Sequence, residues 1–185
     1  MGSSGPGGGV VDGYDVTDEP NSPAQQPKAI DARTFWQALG MRASPVAVVT
    51  AQGSDGPSGF LALSATHLCA DPPMLMVSVD KRTASFGAML EARHFAINYL
   101  ARGDEALADV FGGKTDRRGA DRFEARRWSR LTTGAPVLRD AIGALDCVLE
   151  DALERFGTVI AIGRLIDFAS RGDGEPLQFF RGGYR

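Results

Sequence analysis

Residues 59–86 constrain the fold of this chain more than any other stretch of it. They comprise a small apolar strand, a loop rich in Ser, Thr and Ala, a Pro-Pro corner and a second apolar run over residues 74–79. Short apolar runs bounded by turn residues are typical of buried β-strands. Residues 80–85 then offer two cations, two hydroxyls and free backbone N–H groups where a helix is predicted to begin. These groups suit a phosphate, although an ordinary polar surface loop explains the same spacing equally well.

Short predicted strands separated by turns occupy most of the remaining chain. Residues 46–50 are rich in β-branched side chains and form a predicted hairpin with the strand that begins at Gly59. Residues 145–150 largely alternate apolar with acidic side chains, as in a strand with one face in water. Residues 158–168 predict a long strand that Gly163 interrupts. About seven strands at this close spacing favour a small closed or split antiparallel barrel over a parallel sheet.

Three short helices are predicted beside these strands, over residues 31–39, 84–92 and 104–111. Asp104 is expected to cap the third helix, because an Asp side chain accepts hydrogen bonds from the free N–H groups of a first helical turn. Trp36, in the first helix, is expected to pack on the barrel, as large aromatic side chains usually do.

Length and charge narrow the possible classes of protein. The 185 residues suffice for one domain with a full core, predicted over residues 29–185. Residues 1–28 are rich in Gly, Ser, Pro and acidic side chains and are predicted to be a disordered tail. The net charge of −3 argues against a general nucleic-acid binder. No apolar run approaches the roughly 20 residues of a membrane span, so no membrane association is expected.

The sequence contains few signals for other chemistry. The N-terminus shows no secretory signal, and Cys69 and Cys147 are expected to be buried, reduced thiols of a cytoplasmic protein. Two cysteines and two histidines without paired spacing predict no metal site. Neither G-x-S-x-G nor G-x-G-x-x-G occurs, so neither a hydrolase nor a Rossmann nucleotide domain is supported.

Residues of the central stretch follow, without gaps, the pattern G-x-T-x-x-S, D-P-P, V-N/D-K-x-S/T-x-S. They are Gly59, Ser64, Thr66, Asp71, Pro72, Pro73, Val79, Asp80, Lys81, Thr83 and Ser85. The chain therefore resembles the flavin reductase family with the FMN-binding split-barrel fold. The resemblance continues in residues 94–100, 111–114 and 179–184, and it covers roughly residues 31–185.

The resemblance implies a mainly β fold with flanking helices, an FMN-binding split β-barrel of Greek-key type. It also implies a homodimer that uses NADH or NADPH to reduce FMN or FAD, and that supplies the reduced flavin to a partner monooxygenase. Carried over by position, one set of residues would line the isoalloxazine and ribityl chain: Leu61, Ala62, Ser64, Ala65 and Thr66. A second set would hold the ribityl end and the phosphate: Asp80, Lys81, Thr83 and Ser85.

Two positions depart from the family pattern. Leu61 replaces the Thr of many members, which removes one hydroxyl contact. Thr158 stands where many members have a His close to the nicotinamide, and Thr cannot take a charge near pH 7. Thr158 and His67, the histidine within the flavin loop, are therefore the catalytic candidates, although a lone histidine in a loop is more often solvated.

Alternatives to a reductase stay open. The departure at Thr158 is compatible with a flavin- or tetrapyrrole-binding split barrel with little or no reductase turnover. A third interpretation is an FMN-dependent reductase of another acceptor, such as a cobalt corrinoid. The sequence does not distinguish FMN from FAD, or NADH from NADPH. The basic segment over residues 114–130 is either a solvated face or a rim that attracts dinucleotide phosphates.

Overall fold

The computed structural model describes residues 29–185, and the predicted tail, residues 1–28, lies outside the described residues. The fold is mainly β with flanking helices, as predicted. The helices are α1 (Ala32–Leu39), α2 (Ala84–Ala92) and α3 (Glu105–Phe111), with a 3₁₀ helix at Gly119–Arg122. The strands are β1 (Ser44–Pro45), β2 (Ala47–Gly53), β3 (Gly56–Ala62), β4 (Thr66–Cys69), β5 (Met74–Asp80), β6 (His94–Tyr99), β7 (Trp128–Arg130), β8 (Pro136–Leu138), β9 (Gly143–Arg155), β10 (Thr158–Ser170), β11 (Gln178–Phe180) and β12 (Gly183–Tyr184).

The largest sheet has seven antiparallel strands in the order β3-β2-β6-β9-β10-β5-β4. Its two edge strands, β3 and β4, follow each other in the chain and are separated only by residues 63–65. The end of one edge strand therefore lies close to the start of the other. Two smaller sheets contain β1, β11 and β12, and β7 and β8. The split-barrel and Greek-key details of the predicted fold stay predictions.

Buried and half-buried side chains alternate along β10, and the buried ones belong to the core. Val159 and Ala161 are buried, whereas Ile160 between them is half-buried, so that one face of the strand points inward. Both inward residues belong to a cluster with Phe95 and Ile97 of β6. This face of the sheet is the main apolar core, and its burial is the largest favourable contribution to folding.

Gly163 does not interrupt β10, contrary to the prediction. The strand is continuous, with a register shift between Ile162 and Gly163 in its pairing with β9. A Cβ atom at Gly163 would lie 2.5 Å from Cζ of Phe95 and 3.0 Å from Cβ of Cys147. A glycine occupies this position because the Phe95 ring fills the space that a side chain would need.

Three local predictions are wrong. Asp104 occupies the N-cap position of α3 but makes no capping bond, because its carboxylate pairs with Arg127 at 2.7 Å. Trp36 does not pack into the core, since its side chain is 64% exposed and α1 buries none of its residues. Cys69 is exposed on β4, whereas Cys147 is buried as expected. In each case a contact from elsewhere in the chain, or the lack of one, decides the outcome.

Candidate functional site

One cleft of about 500 Å³ is lined by some of the predicted site residues, and its volume is typical of a small-molecule site. The predicted residues that line it are Leu61, Ala62, Ser64, Asp80 and Thr158. They come from the end of β3, the connection to β4, the end of β5 and the start of β10. Antiparallel pairing sets Asp80 directly opposite Thr158, so the ends of these two strands bring distant parts of the sequence to one place.

Other residues of the cleft were missed by the sequence analysis. They are Trp36, Leu39, Gly40, Arg42, Ser44, Leu63, Ser78 and Phe179. Trp36 and Leu39 are three residues apart on α1 and therefore share one face of the helix, a signal that could have been used. Phe179 belongs to the C-terminal motif noted in the sequence. Arg42 carries no sequence signal, because a single arginine after a short helix is common on protein surfaces.

The remaining predicted residues do not line this cleft. Ala65 packs against the main core cluster, and Thr66 and His67 are exposed residues at the start of β4. His67 stands opposite Leu75 in the pairing of β4 with β5. The structure therefore brings Thr158, and not His67, to the cleft that the other candidates form.

The loop that follows β5 holds its charges in two ion pairs. The guanidinium of Arg82 donates to the carboxylate of Asp80 at 2.6 and 3.0 Å, and these hydrogen bonds lower the pKa of Asp80 to about 2. The ammonium of Lys81 lies 2.6 Å from Oε1 of Glu154, near the end of β9. Both side chains of the second pair are about half-exposed. Lys81 is thus at the surface beside the cleft, where an anionic group could reach it.

The two hydroxyls at the start of α2 differ in their surroundings. Thr83 occupies the N-cap position, and its hydroxyl makes no capping bond, so it is available to a ligand. Ser85 is only 3% exposed, and its hydroxyl donates to the carbonyl oxygen of Gly59 at 2.7 Å. Ser85 also lines a different cleft, one that includes Arg122. Its proton is committed to joining α2 to β3, which leaves only an acceptor for any other partner.

Asp109 joins two segments of the family resemblance, residues 111–114 and residues 179–184. The hydroxyl of Tyr184 donates to Oδ1 of Asp109 at 3.2 Å, and the ammonium of Lys114 lies 2.8 Å from the same oxygen. The Lys114 hydrogen bond lowers the pKa of Asp109. Lys114 also stands 5.1 Å from the centre of the Tyr184 ring. These contacts hold the C-terminal strands, and with them Phe179, against the rest of the domain.

Three of the seven cations in the basic segment, residues 114–130, are paired within the domain, and one of them is Lys114. Arg117 lies 2.7 Å from Glu124, and Arg127 lies 2.7 Å from Asp104. Such pairs reduce the field that a distant anion would feel. Because the other four cations of the segment have no ion pair among the described residues, both interpretations, a solvated face and a rim that attracts dinucleotide phosphates, stay open.

The residues of the cleft fit a flavin. Leu61, Trp36 and Phe179 offer apolar surface for a flat ring, while Ser64 supplies a polar edge. The start of α2 and Lys81 offer N–H groups and a cation close to the same loop, which is the chemistry that a phosphate requires. Within residues 29–185 no group of three or more His, Cys, Asp or Glu could hold a metal ion, and no helix is long and apolar enough to cross a membrane.

Comparison with known proteins gives the family. The family model described as flavin reductase like domain matches residues 39–185. The chain belongs to this family. The matched segment contains the whole cleft except Trp36, and it begins at Leu39, the last residue of α1.

Two curated relatives and one solved structure illustrate the range of the family. The FMN reductase (NADH) RutF of Ancylobacter novellus is 32% identical over 163 residues, which are 88% of this chain and 89% of RutF. The stachydrine N-demethylase reductase subunit Stc3 of Rhizobium meliloti is 37% identical over 155 residues, which are 83% of this chain. The chain spans 65% of the length of Stc3. BorF, the flavin reductase component of a bacterial two-component tryptophan halogenase, has a TM-score of 0.78 at 29% identity and covers 84% of this chain and 97% of BorF.

Proposed function

We propose that this protein is an oxidoreductase that uses NADH or NADPH to reduce FMN or FAD. One observation carries this proposal: a single cleft that suits a flavin is lined by residues from three separate parts of the sequence, namely Leu61 with Ser64, Asp80 and Thr158. The name of RutF, an FMN reductase that uses NADH, supports the same activity. The absence of a nucleophile and base pair from the cleft lining is consistent with chemistry that a cofactor supplies.

The residues of the cleft have separate tasks in this proposal. Trp36, Leu61 and Phe179 provide the apolar walls for the isoalloxazine ring, and Lys81 with Thr83 receives the phosphate at the start of α2. The chemistry that a bound flavin supplies is the acceptance of a hydride from a reduced nicotinamide and the transfer of its electrons onward. The protein must bind both partners in contact and exclude water from between them.

Thr158 is the residue that we assign to the nicotinamide side of the cleft. It is half-buried at the start of β10, and it lies in register with Asp80, so backbone pairing on both sides holds it in place. Its hydroxyl can donate a hydrogen bond to a carboxamide, but it cannot supply a proton or a charge near pH 7. We therefore assign Thr158 a positioning task and assign none to His67, which lies outside the cleft lining.

We also propose a partner monooxygenase for the reduced flavin, a homodimeric state and a cytoplasmic location. BorF is named the flavin reductase component of a two-component tryptophan halogenase, and Stc3 is named the reductase subunit of a stachydrine N-demethylase, which supports a partner. Exposed apolar side chains support an interface between two copies of this chain: Trp36, Met41, Phe156 and Phe168 are all more than half exposed. Light scattering after gel filtration tests the dimer, and a monomer at micromolar concentration would contradict it.

Steady-state oxidation of NADH, followed at 340 nm with FMN in excess, tests the proposed activity. We expect a rate far above that of NADH with free FMN, and bleaching of the flavin absorbance when NADH is added under nitrogen. FAD and NADPH in the same assay would identify the preferred pair. A rate equal to the background without protein would contradict the proposal.

The second candidate function is flavin binding with little or no reductase turnover. The observation that favours it is Thr158, a residue without charge at a position close to where the nicotinamide is expected. The same experiment separates the two functions, because a pure binder would become yellow with FMN and would not be bleached by NADH. An isothermal titration with FMN would then still show binding.

A further inference from the structure

The charged residues around the loop after β5 neutralise one another. Asp80 pairs with Arg82 at 2.6 Å, and Lys81 pairs with Glu154 at 2.6 Å. These two cations and two anions leave no net charge on the cluster. A phosphate that approaches Lys81 therefore meets an ammonium that already has an anionic partner, and it also meets the negative charge of Glu154.

The fold explains why Glu154, distant in sequence, reaches Lys81. The hairpin between β9 and β10 turns at Phe156 and Gly157, which have φ angles of 51° and 78°. The backbone N–H of Lys81 donates to the carbonyl oxygen of Gly157 at 3.2 Å, so the tip of this hairpin lies against the loop. Glu154 is near the end of β9, just before the turn, and its side chain thereby lies beside the ammonium.

We propose that Glu154 competes with the flavin phosphate for Lys81 and so limits how strongly the protein prefers phosphorylated flavins. The inference rests on the proposed function, in which Lys81 receives that phosphate. Carboxylate and phosphate accept the same hydrogen bonds from an ammonium, so at Lys81 they would share three N–H donors and a single positive charge. Binding of FMN therefore brings the phosphate against the negative charge of Glu154 and weakens the pair, whereas binding of riboflavin, which lacks the phosphate, leaves the pair unchanged.

The competition suits a protein that must release its flavin. A reductase that passes reduced flavin to a partner gains from a phosphate contact that orients the ligand without holding it tightly. The Lys81–Glu154 pair regains its full strength as the phosphate leaves, which offsets part of the free energy lost with the phosphate contact. Glu154 is thus a specificity-determining residue that acts through Lys81.

Titrations of FMN and riboflavin test this competition in Glu154→Gln. Glu150→Gln is the matched control, because Glu150 lies on the same strand, is paired with Arg164 at 2.7 Å and carries the same charge. We expect Glu154→Gln to tighten FMN binding roughly two- to fivefold at low salt, as for loss of a competing surface ion pair. Riboflavin binding should stay unchanged, and Glu150→Gln should change neither ligand.

A double-mutant cycle with Lys81→Ala identifies the route of the effect. If Glu154 acts through Lys81, Glu154→Gln should have at most half of its effect on the logarithm of FMN affinity when Lys81 is already Ala. An equal effect in both backgrounds, or equal gains for riboflavin or in Glu150→Gln, would overturn the competition and leave the reductase proposal standing. Failure of the wild type to bind either flavin would overturn both.

Discussion

The hydroxyl of Ser64 lies 3.1 Å from both the backbone nitrogen and the backbone oxygen of Ser78. It accepts from the first and donates to the second. The register of β4 with β5, in which Thr66 faces Met76, places Ser64 opposite Ser78, but β4 begins only at Thr66. The side chain of Ser64 thus provides hydrogen bonds where the pairing of β4 with β5 ends, in the connection between the two edge strands. The same residue lines the candidate flavin cleft.

Ser64→Ala should destabilise the protein and weaken flavin binding together. Two hydrogen bonds at a partly exposed site contribute about 1–2 kcal/mol, and their loss loosens the connection that forms one wall of the cleft. Urea unfolding of the flavin-free protein and an FMN titration measure the two effects. Ser58→Ala on β3 is the control, since the hydroxyl of Ser58 has no hydrogen-bond partner in the described part of the chain. Equal stabilities of the two variants would contradict the bridging role.

Ser85→Ala and Lys81→Ala should separate stability from phosphate binding. Ser85→Ala removes a buried hydrogen bond to Gly59 and should cost about 1 kcal/mol of unfolding free energy. Lys81→Ala should leave stability nearly unchanged, because its ion pair is about half-exposed. Its FMN affinity should fall roughly three- to tenfold while riboflavin affinity stays the same. A parallel loss for FMN and riboflavin would remove Lys81 from the phosphate site.

Thr158→His should give the reductase a pH dependence that the wild type lacks. A histidine at the start of β10 titrates near pH 6.5 when it is unperturbed, whereas Thr158 does not titrate in this range. We expect kcat/KM for NADH to be similar to or higher than that of the wild type, with an added inflection between pH 6 and 7. Thr158→Val, which keeps the shape and removes the hydroxyl, is the control. A wild-type profile with the same inflection would show that another group titrates in the reaction.

Gly163→Ala should destabilise the core without touching the cleft. The added methyl would lie 2.5 Å from the Phe95 ring, so the ring or the strand must move. Overpacking of this kind costs roughly 1–3 kcal/mol, measured as the free energy of unfolding in guanidinium chloride. Gly143→Ala on β9 is the matched control, because its nearest neighbour would be 3.7 Å away. Phe95→Leu in the Gly163→Ala background should recover part of the loss if the ring is the obstacle.

The two thiols should behave differently towards a thiol reagent. Burial raises the pKa of Cys147 to about 12, with the charge of Asp146 adding to the effect, whereas Cys69 is exposed. One thiol should react in the folded protein and two in urea. Above pH 9 the thiol of Cys147 loses its proton in the unfolded state but keeps it in the folded state. The free energy of unfolding therefore contains the full contribution of the protonated Cys147 thiol below that pH. This contribution falls by up to about 1.4 kcal/mol per pH unit towards pH 12.

The pH dependence of Cys147 is checked with Cys147→Ala. The stability difference between wild type and variant should shrink as the pH rises from 9 to 12, because only the wild type carries the ionisable thiol. A constant difference, or rapid reaction of both thiols in the folded protein, would show that Cys147 is accessible to solvent.

Elements that depend on neighbours in the sequence were predicted well. The helix over residues 84–92 agrees with α2, and the strand over residues 46–50 lies almost wholly within β2. The fold class also follows from the closely spaced strands and turns. Periodicity and turn residues act over a few positions, so a linear sequence contains the information that sets them.

Contacts between distant residues were decided by the tertiary structure. The sequence indicated that Lys81 belongs to a phosphate loop, but not that Glu154 would pair with it. The sequence predicted that Gly163 interrupts a long strand. The strand is in fact continuous, and the glycine is there because the Phe95 ring excludes a side chain. The sequence also predicted that Trp36 packs on the barrel, whereas the side chain is 64% exposed and lines the cleft. These outcomes depend on which strands become neighbours in the folded chain. The burial and pairing of a side chain are then set by residues dozens of positions away, which local sequence patterns do not identify.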